Sequence, residues 1–138
     1  MNYKTFNYDY NKDKLLSLFV KTKTHLCYEI ADLSEVDKML LPMMNVFNRE
    51  LSIREYGLAE LVTETGMHVN PRNNGLIMFP VKGLMGFTFD DGTTVKITQP
   101  TITNGLVLHT YYPIESPAIF FAIKIPTNIS YAECCLLP

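Results

Sequence analysis

From Leu58 to Ile125 the chain reads as a succession of short apolar runs: 58–65, 76–81, 84–89, 94–99, 102–109 and 118–125. They are divided by Asn, Asp, Gly and Pro. Runs of four to eight residues, rich in β-branched and aromatic side chains and bounded by turn formers, are too short for helices and have the length of strands. Asp90-Asp91-Gly92 lies between two alternating runs. That is a hairpin turn, because Gly supplies positive φ and Asp tolerates the position before it. The second half of the chain is therefore expected to be a β fold.

The first half is mixed. Residues 1–12 alternate Tyr or Phe with polar residues, a period-two pattern that fits an edge strand or an arm packed by its aromatics. Residues 13–20 fit a short helix or a buried strand equally well, and 24–31 reads as a strand carrying His25 and Cys27. Asp32 has the place of a helix N-cap with Glu35 reaching back, followed by Leu33, Val36, Leu40, Met43 and Met44 at helical spacing. Pro42 removes a donor and crowds the preceding turn, so a helix of about ten residues should kink or break near Leu41. Met39, Met43 and Met44 are core filler. The tail, 130–138, with Cys134, Cys135, Leu136 and Leu137, either packs back on the body or frays.

A chain of 138 residues with 47% hydrophobic residues buries a core without staples and is expected to form one domain. Within it, 1–52 serve as helical and edge-strand support, 53–126 as the β core and 127–138 as a tail. A net charge of -2 with only Arg49, Arg54 and Arg72 as arginines leaves no footprint for nucleic acid. Three cysteines, two of them adjacent, fit neither a disulfide framework nor a Cys-x-x-Cys metal site. Reduced thiols, a soluble chain and a cytoplasmic location follow as expectations, with no membrane partner. The abundance of Asn, Lys, Ile and Tyr suits an AT-rich genome such as that of a phage or marine bacterium. In that setting the location would be a host cytoplasm or a virion.

His68 and Asn70 lie two apart at the end of a predicted strand, so both side chains point to one face, and His109 ends another. If those strands are neighbours, the three converge as a facial metal site does. Chance placement of histidines at strand ends is the competing explanation. Glu60 and Glu64 share that face, but four residues of strand put Glu64 roughly 13 Å from His68. His25 with Cys27 lacks a third group to orient it. Tyr111 and Tyr112 line a ligand mouth or cap a barrel edge.

The order His68-x-Asn70, then the apolar strand Gly75 to Gly83, then Gln99 to His109, a proline-bearing turn and the strand 118–125 resembles the double-stranded β-helix of the Fe(II)/2-oxoglutarate-dependent oxygenases and the wider cupin group. The resemblance covers roughly 56–126. It implies a jelly-roll, cupin-like fold with one or two N-terminal helices on one sheet face. It also implies Fe(II) on His68 and His109, 2-oxoglutarate as cosubstrate and a dioxygenase activity. Asn70 stands where the family has a carboxylate, and an amide oxygen is a weaker ligand that neutralises no charge. Members without the carboxylate place a halide on the metal. Ala118 stands where the arginine for 2-oxoglutarate is usual, which leaves Lys82 and Arg72 to receive a carboxylate; the alternative for Lys82 is a solvated lysine before a glycine turn. A different reading is a non-catalytic β-sandwich that serves as an assembly subunit, in a viral particle or a homo-oligomer, and a third is a cupin-type binder of a small carboxylate.

Overall fold

In the computed structural model, residues 2–21, 28–44, 56–70, 72–125 and 127–136 are described. Two long strands dominate: β5 (Gly75–Phe89) and β8 (His109–Lys124), paired antiparallel from Leu76↔Lys124 to Phe89↔His109. Around them lie β1 (Tyr3–Thr5), β4 (Tyr56–Leu61), β6 (Thr94–Ile97) and β7 (Thr101–Asn104), giving the order β1-β7-β5-β8-β4 with β6 on β5. A small second sheet pairs β2 (Phe19–Lys21) with β3 (Tyr28–Ile30). The helices are α1 (Lys12–Ser17), α2 (Leu33–Met44) and α3 (Tyr131–Cys134). This is the mainly β, antiparallel architecture with a few helices expected from the sequence.

The central ladder bends in the middle. Its register shifts between Pro80 and Met85, where five steps along β5 oppose seven along β8 (Phe120 to Pro113). Side chains alternate faces along a strand, so inserted residues switch which parity points inward. Before the bend, Ile77, Phe79 and Val81 join one core cluster while Met78 joins another; after it, Met85, Phe87 and Phe89 continue the cluster of Met78. On β8 the same exchange separates Tyr111 from Phe121 and Ile123. One strand pair thereby builds both the outer layer, under the helices, and the interior of the curled sheet.

The outer layer is closed by the N-terminal arm. Phe6, Tyr8 and Tyr10 each meet the ring of Phe79 edge-on, with centroids 5.4–6.0 Å apart. The hydroxyl of Tyr8 donates to the carbonyl of Met39 and that of Tyr10 to the carbonyl of Pro80. Burial in this apolar setting pushes the Tyr10 hydroxyl well above its ordinary pKa. Leu15 of α1 and Val36 of α2 complete the layer.

Several expectations are refined. The first twelve residues form both a strand and a packed aromatic arm, and 13–20 divides into α1 and β2, with Asn11 capping α1 through the Lys14 amide (2.9 Å). Asp32 does cap α2, accepting from the Glu35 amide at 3.2 Å, and that bond draws its pKa down. Glu35 does not reach back; its carboxylate is taken by Lys38 and Lys14. The helix continues through Pro42 to Met44 instead of breaking near Leu41. There a proline forfeits one bond near the end of the described helix and interrupts no long run.

The runs 76–81 and 84–89 are one strand, because Lys82-Gly83 forms a bulge instead of a turn. Run 58–65 is strand only to Leu61, and 102–109 stops at Asn104, so His109 begins a strand instead of ending one. The 90–92 hairpin is as expected: Gly92 has φ +90 and its amide donates to Phe89 O at 3.0 Å. The tail packs, with Cys134 buried in the outer core and Leu136 exposed. His25 and Cys27 lie outside the described residues.

Gly83 has φ +67, and a Cβ there would lie 2.1 Å from Pro117 O and 2.4 Å from Glu115 O. Gly83→Ala should therefore cost at least about 2 kcal/mol, combining backbone strain with a main-chain clash. Phe79→Ala should cost ~3–5 kcal/mol by emptying the centre of the outer core. Urea unfolding checks both, and a Gly83→Ala protein as stable as the parent would refute the bulge assignment.

Candidate functional site

Past β4 the chain runs along the first residues of β8. The Thr65 amide donates to Tyr111 O (2.8 Å), the Tyr111 amide to Thr65 Oγ1 (2.9 Å), and the Thr110 hydroxyl to Thr65 O. Three residues further, His68 and His109 form a β-bridge, each amide donating to the other's carbonyl at 3.0 Å. Directly opposed residues of an antiparallel pair present their side chains on one face. The two imidazoles accordingly sit with centroids 4.5 Å apart and planes inclined by 57°.

Each ring is held the same way. His68 Nδ1 lies 2.7 Å from Gly66 O, and His109 Nδ1 lies 2.7 Å from Val107 O. A carbonyl oxygen only accepts, so Nδ1 carries a proton in both rings, and Nε2 is the nitrogen that holds the lone pair whenever the ring is neutral. His109 is 1% exposed and its Nε2 has no partner among the described residues, whereas His68 is half-buried at the mouth. Burial lowers the His109 pKa; the bond to Val107 opposes that and a charge on His68 would add to it.

The floor is aromatic. Tyr111 lies 5.0 Å from the His109 ring and 5.9 Å from that of His68, and Phe89 meets His109 edge-on at 6.4 Å. The Tyr111 hydroxyl faces Thr103 Oγ1 at 3.4 Å, and burial pushes its pKa up to about 12. Among the described residues the buried polar side chains are Thr101, Thr103, His109 and Thr110, with no carboxylate. Tyr112 packs over Gly86 instead, so of the two tyrosines Tyr111 belongs to the site.

Asn70 is held at the next rung, its amide donating to Gly105 O at 2.7 Å. Its side chain lies on Gly105: a Cβ there would be 2.3 Å from Asn70 Nδ2, which is buried without a partner among the described residues. The space that Gly105 leaves was not visible in the sequence, although Asn104-Gly105 marks the turn.

The cations lie elsewhere. Lys82 is exposed in the bulge of β5, seven residues before Phe89, the residue paired with His109; at ~3.3 Å per residue that is roughly 20 Å along the strand. Arg72 is exposed two residues beyond Asn70. Ala118 is buried in the interior cluster. Glu60 sits on β4 opposite Ile119 and Glu64 is exposed. No group of three His, Cys, Asp or Glu side chains converges among the described residues, and the ligand types the structure brings together are the two imidazoles of His68 and His109. No helix among the described residues is long and apolar enough to cross a membrane.

No protein-family profile matches the sequence, and no curated protein sequence matches it. Its fold is similar to that of protein NMB1881 from Neisseria meningitidis, with a TM-score of 0.51 and 17% identity, covering 86% of this chain and 99% of that one. A weaker likeness, with a TM-score of 0.41 and 14% identity over 62% of this chain and 91% of the other, is to a cupin-2 domain containing protein from Shewanella frigidimarina.

The depressed His109 pKa fixes a pH dependence. The unfolded chain takes up a proton near pH 6.5 while the folded ring stays neutral, so metal-free stability is complete above about pH 6.5 and falls as the pH drops toward the folded pKa. His109→Gln should flatten that slope in urea titrations between pH 7 and 5.

Proposed function

We propose that this chain is a cupin-like module whose histidine pair binds a divalent metal ion, with an oxygen-donor small molecule as the second ligand. The observation that carries the reading is the matched Nδ1-to-carbonyl bond of both rings, which leaves Nε2 as the ligating nitrogen of two imidazoles whose centroids lie 4.5 Å apart. Holding the second ring nitrogen is how proteins orient metal-ligating histidines. An unpartnered Nε2 on a histidine 1% exposed is otherwise a desolvation cost with no return.

His68 and His109 are the ligands in this reading, and Asn70, resting on Gly105, offers an amide oxygen as the third. A metal ion there would act as a Lewis acid toward a bound carboxylate, water or dioxygen. Tyr111 and Phe89 keep bulk water from the inner side, and the Tyr111 hydroxyl, high in pKa, stays a neutral hydrogen-bonding group at neutral pH.

The Fe(II)/2-oxoglutarate oxygenase reading fits this geometry less well. It needs a cation for the distal carboxylate, and Lys82 is too far along β5 to serve. Arg72, exposed two residues beyond Asn70, is the cation left for that role. The alternative of a non-catalytic assembly subunit draws on the exposed apolar residues beside the site.

Anaerobic calorimetry with Fe(II), Co(II) and Zn(II), each with and without 2-oxoglutarate, tests the proposal. Saturable binding of one metal per chain is expected, lost in His109→Ala and tightened about tenfold or more in Asn70→Asp, where a charged ligand replaces a neutral one. Enhancement by 2-oxoglutarate that disappears in Arg72→Ala would favour the oxygenase branch. Absence of metal binding by the parent protein would overturn the reading.

A further inference from the structure

His68 and His109 exchange both backbone bonds as a single rung, and the ladder is interrupted on either side of it. In a regular antiparallel pair the adjoining rungs would join Gly66 to Tyr111 and Asn70 to Val107. Both rungs are replaced. The Tyr111 amide donates to the side chain of Thr65 at 2.9 Å, and the Tyr111 carbonyl accepts from the Thr65 amide at 2.8 Å. On the other side the Asn70 amide passes over Val107 to the carbonyl of Gly105, at 2.7 Å.

The two carbonyls released from the ladder are the ones that hold the imidazoles. Gly66 O accepts from Nδ1 of His68 and Val107 O from Nδ1 of His109, each at 2.7 Å and each from the ring two residues further on. A carbonyl committed to a rung points at the opposite strand and is poorly aligned for a side chain of its own strand. The interruption is therefore what gives each Nδ1 its acceptor. At Val107 a backbone carbonyl, that of Gly105, makes the exchange, whereas at Gly66 it rests on one side chain. The Thr65 hydroxyl stands in for the Gly66 carbonyl as acceptor for the Tyr111 amide. Its orientation is set from Thr110: the two hydroxyl oxygens lie 3.3 Å apart, and the Thr110 hydroxyl donates to the Thr65 carbonyl. With the Thr110 proton committed there, Thr65 supplies the proton between the two hydroxyls and keeps a lone pair for the Tyr111 amide.

We propose that Thr65 is a positioning residue of the histidine site, whose hydroxyl keeps the Gly66 carbonyl out of the ladder and so holds His68 protonated on Nδ1. Without that hydroxyl the amide of Tyr111, a buried residue, needs a carbonyl, and Gly66 O is the one the register supplies. His68 then loses its acceptor and its proton is free to move to Nε2. That His68 serves a metal ion rests on the function proposed above; the dependence of its tautomer on Thr65 does not.

Nitrogen-15 NMR of the imidazoles in the metal-free full chain, at about pH 8 and so above the titration range of an imidazole, reads the tautomer directly. In the parent, His68 and His109 are both protonated on Nδ1. Thr65→Val should shift the His68 tautomer ratio about fivefold or more toward Nε2–H and leave His109 unchanged, and Thr65→Ser should restore the parent ratio. Far-UV circular dichroism verifies folding; should Thr65→Val not fold, Thr65→Ala, smaller at a half-buried position, replaces it. Where the parent binds Co(II), Thr65→Val should weaken binding about tenfold or more, with recovery in Thr65→Ser. A parent His68 protonated on Nε2, a ratio unmoved by Thr65→Val, no rescue by Thr65→Ser, or an undiminished Co(II) affinity would each overturn the proposal. A shifted and rescued tautomer in a protein that binds no metal upholds it and overturns the metal reading alone.

Discussion

Everything in this molecule hangs on the antiparallel ladder between β5 and β8. Its unequal count of residues through the middle bends both strands at one place and exchanges their inward and outward faces. Without that exchange, Met78 and Phe87 would belong to opposite sides of the sheet, and the interior would lose one of its walls. Gly83 permits the bend because its carbonyl neighbours, Glu115 and Pro117, occupy the space a side chain would need.

The bend also decides where chemistry can be placed. Phe89 pairs with His109 at the far end of the ladder, so the interior closes around that end with Phe87, Phe89 and Tyr111. The segment carrying His68 is laid alongside β8 by the Thr65 bonds, and the two histidines meet as a bridged pair. Rings fixed through Nδ1 to local carbonyls need no remote residue to orient them, which is why a short ribbon suffices to present both lone pairs.

The same ribbon carries His68 on one side and exposed apolar residues on the other. Histidine alternates with Met67 and Val69 along the strand direction, so the residues that make an inward site necessarily make an outward face.

The sequence by itself determined the class of the fold and marked His68 and His109 as candidates. Apolar runs of strand length from Leu58 onward, the Asp90-Asp91-Gly92 turn, the Asp32 cap and the two-residue spacing of His68 and Asn70 are all local patterns, and local physics suffices to read them. Only the tertiary structure decided the rest. Whether Lys82-Gly83 turns or bulges depends on Glu115 and Pro117, more than thirty residues away. Whether Lys82 reaches the histidines depends on the length of an unbroken β5. Where the Asn70 side chain rests depends on a missing side chain at Gly105. Each is a question of contacts between distant residues, and strand periodicity carries no information about which strand lies opposite.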